Sequence, residues 1–229
     1  MPSLTRTGDV FVLDIGDTEN RFHPDWLVQV TAALDEVVAA EGPRALVTVA
    51  TGKFWSNGLD LEWLSGNTEK FAEYASAVHE LLARMLELPV PTVAALQGHT
   101  FAAGAMLALA HDFRVMRADR GFFCLPEVDI HIPFTAGMAA LIQSRLRPQV
   151  AHEAMTTGRR YGGSDALASA IVDATAGDGE VLKVAVERAA ALAPKAAPVL
   201  GAIKAQMYAP ALSALREGSN SAFSPLSTS

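Results

Sequence analysis

The 229-residue chain has one cysteine, Cys124. An internal disulfide is therefore excluded, as is a cysteine-based zinc cluster, and the usage fits a reducing compartment. Basic residues are also scarce: 18 Lys and Arg stand against 25 Asp and Glu, a formal charge of −7. The cations are scattered, with Arg159-Arg160 the closest pair. Neutralising a phosphate backbone takes clustered cations, so no nucleic-acid partner is expected. Long apolar runs are missing. The longest, Phe101 to Ala110, is about half a membrane span and contains a glycine, so no membrane partner is expected either. The opening, MPSLTRTGDVFVLDIGD, has no apolar core of the kind a secretory leader needs. The closing SPLSTS is not the peroxisomal Ser-Lys-Leu address. A soluble, cytoplasmic protein is the expectation. The six histidines show neither HxxxH nor HxH spacing, which argues against a metal. No GxSxG elbow or phosphate-binding glycine loop occurs, so serine-hydrolase and nucleotide-hydrolase chemistry find no support.

What is present is a large core. Half of the residues are hydrophobic and 19% are charged, which excludes disorder as the main state. Val10 to Ile15 alternates like a strand and stops at Gly16. Pro24 then opens a helix whose apolar positions, Leu27, Val30, Leu34, Val37 and Val38, recur at helical spacing as far as Gly42. Ala45 to Ala50 reads as a buried parallel strand, followed by the loop KFWSNGLD. A long helix carries Phe71, Tyr74, Val78, Leu81, Leu82, Met85 and Leu86 on one face and ends before Pro89 and Pro91. Thr92 to Leu96 predicts another buried strand, Gly98 a turn, AAGAMLALAH a small-residue helix, and FRVMRA and FFCL two further strands. Helices are expected near 136–146, 148–157, 164–170, 178–192 and 195–208, with a frayed end from Gly218. The alternation predicts an α/β domain with right-handed crossovers. We divide it into a core over 1–190 and a C-terminal helical segment with a flexible tail over 191–229.

Three segments could carry chemistry. The first is Lys53-Phe54-Trp55-Ser56-Asn57-Gly58-Leu59-Asp60, between a strand and a polar turn. The second is Gly98-His99-Thr100-Phe101-Ala102-Ala103-Gly104-Ala105-Met106. There a helix opens on small residues, so its free N–H groups can meet an anion at close range. The third is Leu125-Pro126-Glu127-Val128-Asp129. A carboxylate just after FFCLP is expected against apolar walls, where desolvation raises its pKa toward that of a general base. Asp60 is read as a helix cap and Cys124 as an inert buried thiol.

The three segments, in this order and at these separations, resemble the enoyl-CoA hydratase/isomerase (crotonase) superfamily over roughly residues 8–170. The resemblance implies a crotonase-like spiral of ββα repeats with a helical C-terminal region. It implies an oxyanion hole for a thioester carbonyl, with the N–H groups of Leu59 and Ala103 as donors. Lys53, Phe54, Trp55, Asn57, Gly58, Gly104, Met106 and His131 are then substrate-binding candidates. Ordinary packing is the alternative for Trp55 and Trp63, and a surface role the alternative for His131. Family hydratases use two glutamates. This chain matches only the second, Glu127, and has Met106 where the first would stand. That pattern, with FVLDIGDTENRF, KFWSNGLDLEWL and EVDI, resembles the short plant-type Δ3-Δ2-enoyl-CoA isomerases. A fatty-acid isomerase acting on an acyl-CoA thioester is implied, with Glu127 as sole base. CoA is then part of the substrate, with no cofactor and no metal, and the protein is a homotrimer or dimer of trimers. Thioester hydrolysis, decarboxylation, hydration and non-catalytic CoA-ester binding are the alternatives. Asp129 shares a face with Glu127 in extended chain and is the one substitute for the missing carboxylate. Where many relatives have a glycine, this chain has His131.

Overall fold

The computed structural model describes residues 1–217, so the end beyond Gly218, where fraying was expected, lies outside the described residues. The chain opens with a hairpin, β1 (Ser3–Thr7) and β2 (Val10–Asp14), and continues into α1 (Pro24–Ala39). The next turn is β3 (Ala45–Val49), β4 (Phe54–Ser56), a short α2 (Leu61–Ser65) and α3 (Phe71–Glu87). Then come β5 (Thr92–Leu96), β6 (His99–Phe101) and α4 (Ala103–Ala110). A third turn has β7 (Phe113–Arg117), β8 (Phe123–Cys124), α5 (Ala136–Arg145), α6 (Pro148–Thr157) and α7 (Gly163–Ala168). The chain closes with β9 (Ala174–Ala176), α8 (Val181–Leu192), α9 (Pro198–Met207) and α10 (Ala209–Glu217).

The strands sort into two sheets, β1-β2-β3-β5-β7-β9 and β4-β6-β8. Apart from the β1–β2 hairpin all pairings are parallel. Each turn of the spiral therefore lays one strand in the large sheet and the next in the small one. This is the expected ββα spiral. β3 and β5 are buried on both faces, which explains why they read as unbroken apolar runs. Leu46, Ala94, Leu96 and Met116 face the main core, whereas Val47, Val93, Ala95 and Val115 pack under Val181, Ala185 and Ala189 of α8. Several elements escaped sequence reading. β4, β6 and β9 span three residues each, too few for a period to register. The edge strand β1 is mostly exposed and carries no apolar pattern. α10 follows α9 after a single break at Tyr208, and α2 has no buried residue.

Polar anchors tie the C-terminal helices to this core. Lys204 is the one fully buried residue of α9. Its Nζ donates to the carbonyls of Leu88 and Val90, both at 2.9 Å, and to Asp112 Oδ2 at 2.6 Å. The same carboxylate oxygen accepts from the Thr92 amide at 2.8 Å. A second chain of bonds crosses from α5 to α10. The Met138 amide donates to Thr135 Oγ1 at 3.2 Å, which lies 2.9 Å from His79 Nε2. His79 Nδ1 in turn lies 3.1 Å from the Leu215 carbonyl. Burial lowers the His79 pKa, keeping the ring neutral, with Nδ1–H as the donor to Leu215 and Nε2 accepting from the Thr135 hydroxyl. Replacing Lys204 by methionine should cost roughly 3–5 kcal/mol, because Asp112 and two carbonyls lose their donor. Urea denaturation of the two proteins measures it, and a loss under about 1 kcal/mol would mean that water takes over the ammonium's role.

Candidate active site

The site is built at the C-terminal ends of the three small-sheet strands. Beyond β4 the chain turns at Gly58, whose φ of +79° suits glycine. A methyl group there would come within 2.6 Å of the Ala103 nitrogen and 2.9 Å of the Gly104 nitrogen. Gly104 is equally confined: an added Cβ would lie 2.6 Å from the Ser56 carbonyl oxygen. The turn is held from behind by the segment 16–22. Ser56 Oγ donates to the Asn20 carbonyl at 2.8 Å and accepts from the Gly58 amide at 3.0 Å. Asn20, 4% exposed, sends its Nδ2 to the carbonyls of Gly16, Phe54 and Trp55. The Asn57 amide donates to the Glu19 carbonyl, and the Phe22 amide to the Gly58 carbonyl. Asn20 was missed by sequence reading. Nothing local distinguishes it from a loop asparagine.

Beyond β6 the chain enters α4 through Ala102, at φ 52° and ψ −128°, a conformation that costs an alanine strain. Its amide is tied to the Cys124 carbonyl at 3.1 Å. Among the described residues, neither the Leu59 nor the Ala103 amide donates to any protein acceptor. Both residues line one cavity of about 290 Å³. The two N–H groups named from sequence therefore stand beside each other, undonated, at the N-terminal end of α4.

Beyond β8, Glu127 faces the same cavity. It is 6% exposed, and its Oε2 is buried without a hydrogen-bond partner among the described residues. Burial pushes its pKa up to about 7, against a smaller lowering by a backbone N–H. Among the described residues, Glu127 is the only acid lining the cavity. Met106 also lines the cavity. Asp129 is exposed and packs against Gly158, where an added Cβ would lie 2.4 Å from its Oδ2, so it is not part of the wall.

The remaining candidates divide. Phe54 and Asn57 line the cavity, and Asn57 Oδ1 is another buried oxygen without a donor. Trp55 does not. Its ring is fully buried, with Nε1 donating to the Thr48 carbonyl at 3.4 Å. Lys53 is exposed, its ammonium 5.2 Å from the centre of the Phe54 ring. His131 is exposed at a left-handed φ of 57°, outside the wall. Trp63 packs on Tyr74 with centroids 5.4 Å apart. Asp60 caps α2 as expected, accepting from the Trp63 amide at 3.1 Å. Cys124 is buried, and its thiol is pushed up to about 11 by desolvation. Arg21 at the rim and Phe101, Ile132, Phe134 and Met138 on the wall were not foreseen. Arg21 is held by Glu19 at 2.6 Å and Glu62 at 3.4 Å. No group of three or more metal-binding side chains occurs among the described residues, and no helix there is long and apolar enough to cross a membrane.

Comparison with known proteins places the chain in a family. Residues 9–224 match the family model described as enoyl-CoA hydratase/isomerase. Enoyl-CoA delta isomerase 3 of Arabidopsis thaliana is 37% identical over 185 residues, 78% of each chain. The peroxisomal enoyl-CoA delta isomerase 2 of the same plant is 36% identical over 189 residues, 79% of each. Among solved structures, the apo enoyl-CoA isomerase of Mycobacterium tuberculosis superposes with a TM-score of 0.88 at 27% identity, covering 97% of this chain and 98% of that one. The chain belongs to the enoyl-CoA hydratase/isomerase family, has the crotonase fold, and is enoyl-CoA delta isomerase-like.

Proposed function

We propose that the protein converts 3-enoyl-CoA thioesters to trans-2-enoyl-CoA with Glu127 as its single base. The observation that carries this reading is one buried carboxylate with an unpartnered oxygen, sharing a cavity with two undonated amides, and no second acid among the described residues of the wall. In this mechanism the Glu127 carboxylate takes a proton from C2. The electron pair left at C2 is shared with the adjacent thioester carbonyl, whose oxygen accepts from the Leu59 and Ala103 N–H groups, and with C4 through the C3–C4 double bond. Such fixed donors stabilise charge as it develops, without reorganising. The carboxylic acid then returns the proton at C4, leaving the double bond between C2 and C3. One group thus serves as base and then as acid, a task suited to a pKa near 7.

Hydration asks for more. A water must be held and deprotonated while C2 gains a proton, and Met106 can do neither. CoA is part of the substrate, so the reading needs no cofactor and no metal. A cytoplasmic setting, read from the amino-acid sequence, and an assembly of three or six copies, resting on family likeness alone, complete it.

Glu127→Gln keeps the shape of the side chain and should lower turnover of 3-hexenoyl-CoA by roughly 10²–10⁴-fold. Near-normal turnover by the folded variant would overturn the mechanism. In wild type, kcat/KM should fall about tenfold per pH unit below about 7, as the base takes up its proton. Crotonyl-CoA, followed by loss of its enoyl-thioester absorbance, should be hydrated slower than 3-hexenoyl-CoA is isomerised by orders of magnitude.

A fourth test needs no substrate. The folded-state pKa of Glu127 lies above its ordinary value of 4.5. The folded protein therefore binds more protons than the unfolded chain between pH 4.5 and 7, and stability falls as pH rises through that window. Glutamine does not ionise. The stability of Glu127→Gln relative to wild type should rise by on the order of 3 kcal/mol from pH 4.5 to pH 8, read by urea denaturation. A difference independent of pH would mean an ordinary, solvated carboxylate.

A further inference from the structure

The cavity has an open and a closed end. Leu61, Phe54 and Phe134 line it while keeping part of their surface in solvent. Met106 and Met138 line it too, but are 1% and 4% exposed. Both are unbranched apolar side chains that fill space without offering a polar group.

The wall carrying Met138 cannot retreat. Met138 sits in the first turn of α5, and its amide is the first link of the chain through Thr135 and His79 to Leu215. The residue before it, Gly137, lies so near α10 that an added Cβ would be 2.6 Å from Leu215 Cα. α5 is therefore pressed on the helix behind it and bonded to it through a buried ring. Room along this wall is set by the Met138 side chain itself.

Volume turns this into a length. An apolar cavity of about 150 Å³ takes up a benzene ring, six carbons. By that measure the 290 Å³ here holds roughly twelve non-hydrogen atoms. Part of the space goes to the thioester and the carbons beside its sulfur.

Resting on the isomerase reading, we propose that Met138, together with Met106, closes the acyl end of the cavity. The enzyme is thereby restricted to 3-enoyl thioesters of about six to eight acyl carbons. Met138 is in this sense the specificity-determining residue. Met138→Ala removes three side-chain atoms and admits an acyl chain longer by about that many carbons.

The test compares 3-hexenoyl-CoA with 3-decenoyl-CoA on wild type, Met138→Ala and the milder Met138→Val. In wild type, kcat/KM should favour the six-carbon substrate by about tenfold or more, one methylene alone being worth roughly tenfold in a tight apolar pocket. Met138→Ala should bring the ratio toward one by raising the ten-carbon value, and Met138→Val should lie between. If alanine at 138 prevents folding, the valine variant alone decides. Equal use of both chain lengths by wild type, or an unchanged ratio in a folded variant, overturns the proposal. Calorimetric binding of saturated hexanoyl-CoA and decanoyl-CoA separates it from the reading beneath it. Discrimination in binding with no isomerisation of any chain length leaves the length limit standing and removes the isomerase. Turnover without discrimination does the reverse, and no binding of either thioester removes both.

Discussion

Gly58 and the first turn of α4 approach so closely that one methyl group would not fit between them, and the rest of the site follows from that approach. Two backbone amides can be held side by side only if neither segment carries bulk at the contact, which accounts for Gly58 and Gly104 and for the alanines around them. Closeness also has to be enforced. Segment 16–22 does this from outside the turn, through Asn20, Ser56 and the amides of Asn57 and Phe22. Among the described residues the amides of Leu59 and Ala103 are left without a protein acceptor.

Much of this was legible in the amino-acid order, though unevenly. The buried strands β3 and β5 and the long helix α3 declared themselves through apolar runs and period, since burial on both faces or on one face leaves those marks. Glu127 was legible because an acid directly after FFCL has few places to go but an apolar wall. In the small sheet β8 was read as FFCL but β4 and β6 were not, because three-residue strands hold no period; yet these are strands that end at the site. Trp55 shows the limit of loop reading. It lies within a motif at the cavity, but β4 alternates, so its ring enters the core while Phe54 meets the cavity. Asn20, Arg21 and Met138 reach the site from distant parts of the chain, and only the packing of those elements reveals them.

The site is a local cost in stability. A carboxylate sits buried with one oxygen unpartnered, and Ala102 is held at a positive φ that an alanine adopts only under constraint. Both persist because the surroundings leave no alternative. β3 and β5 are covered on both faces, and the C-terminal helices are fastened by Lys204 and by the His79 bridge. Among the described residues four buried side-chain polar atoms have no partner: Asn57 Oδ1 and Glu127 Oε2 in the cavity wall, and Gln97 Oε1 and His99 Nδ1 outside it.

Leu59, Ala103 and Glu127 follow β4, β6 and β8 by two or three residues, so each occupies the same place in a successive turn of the spiral. In the mechanism proposed above, the chemistry is thus divided among three repeats of one structural unit, each contributing one part to a shared centre. A change in the third turn can exchange an acid for another group while the first two go on presenting their amides undisturbed. An architecture of this kind lets reactions diverge one repeat at a time, with the invariant part written in main chain, where side-chain mutation reaches it least.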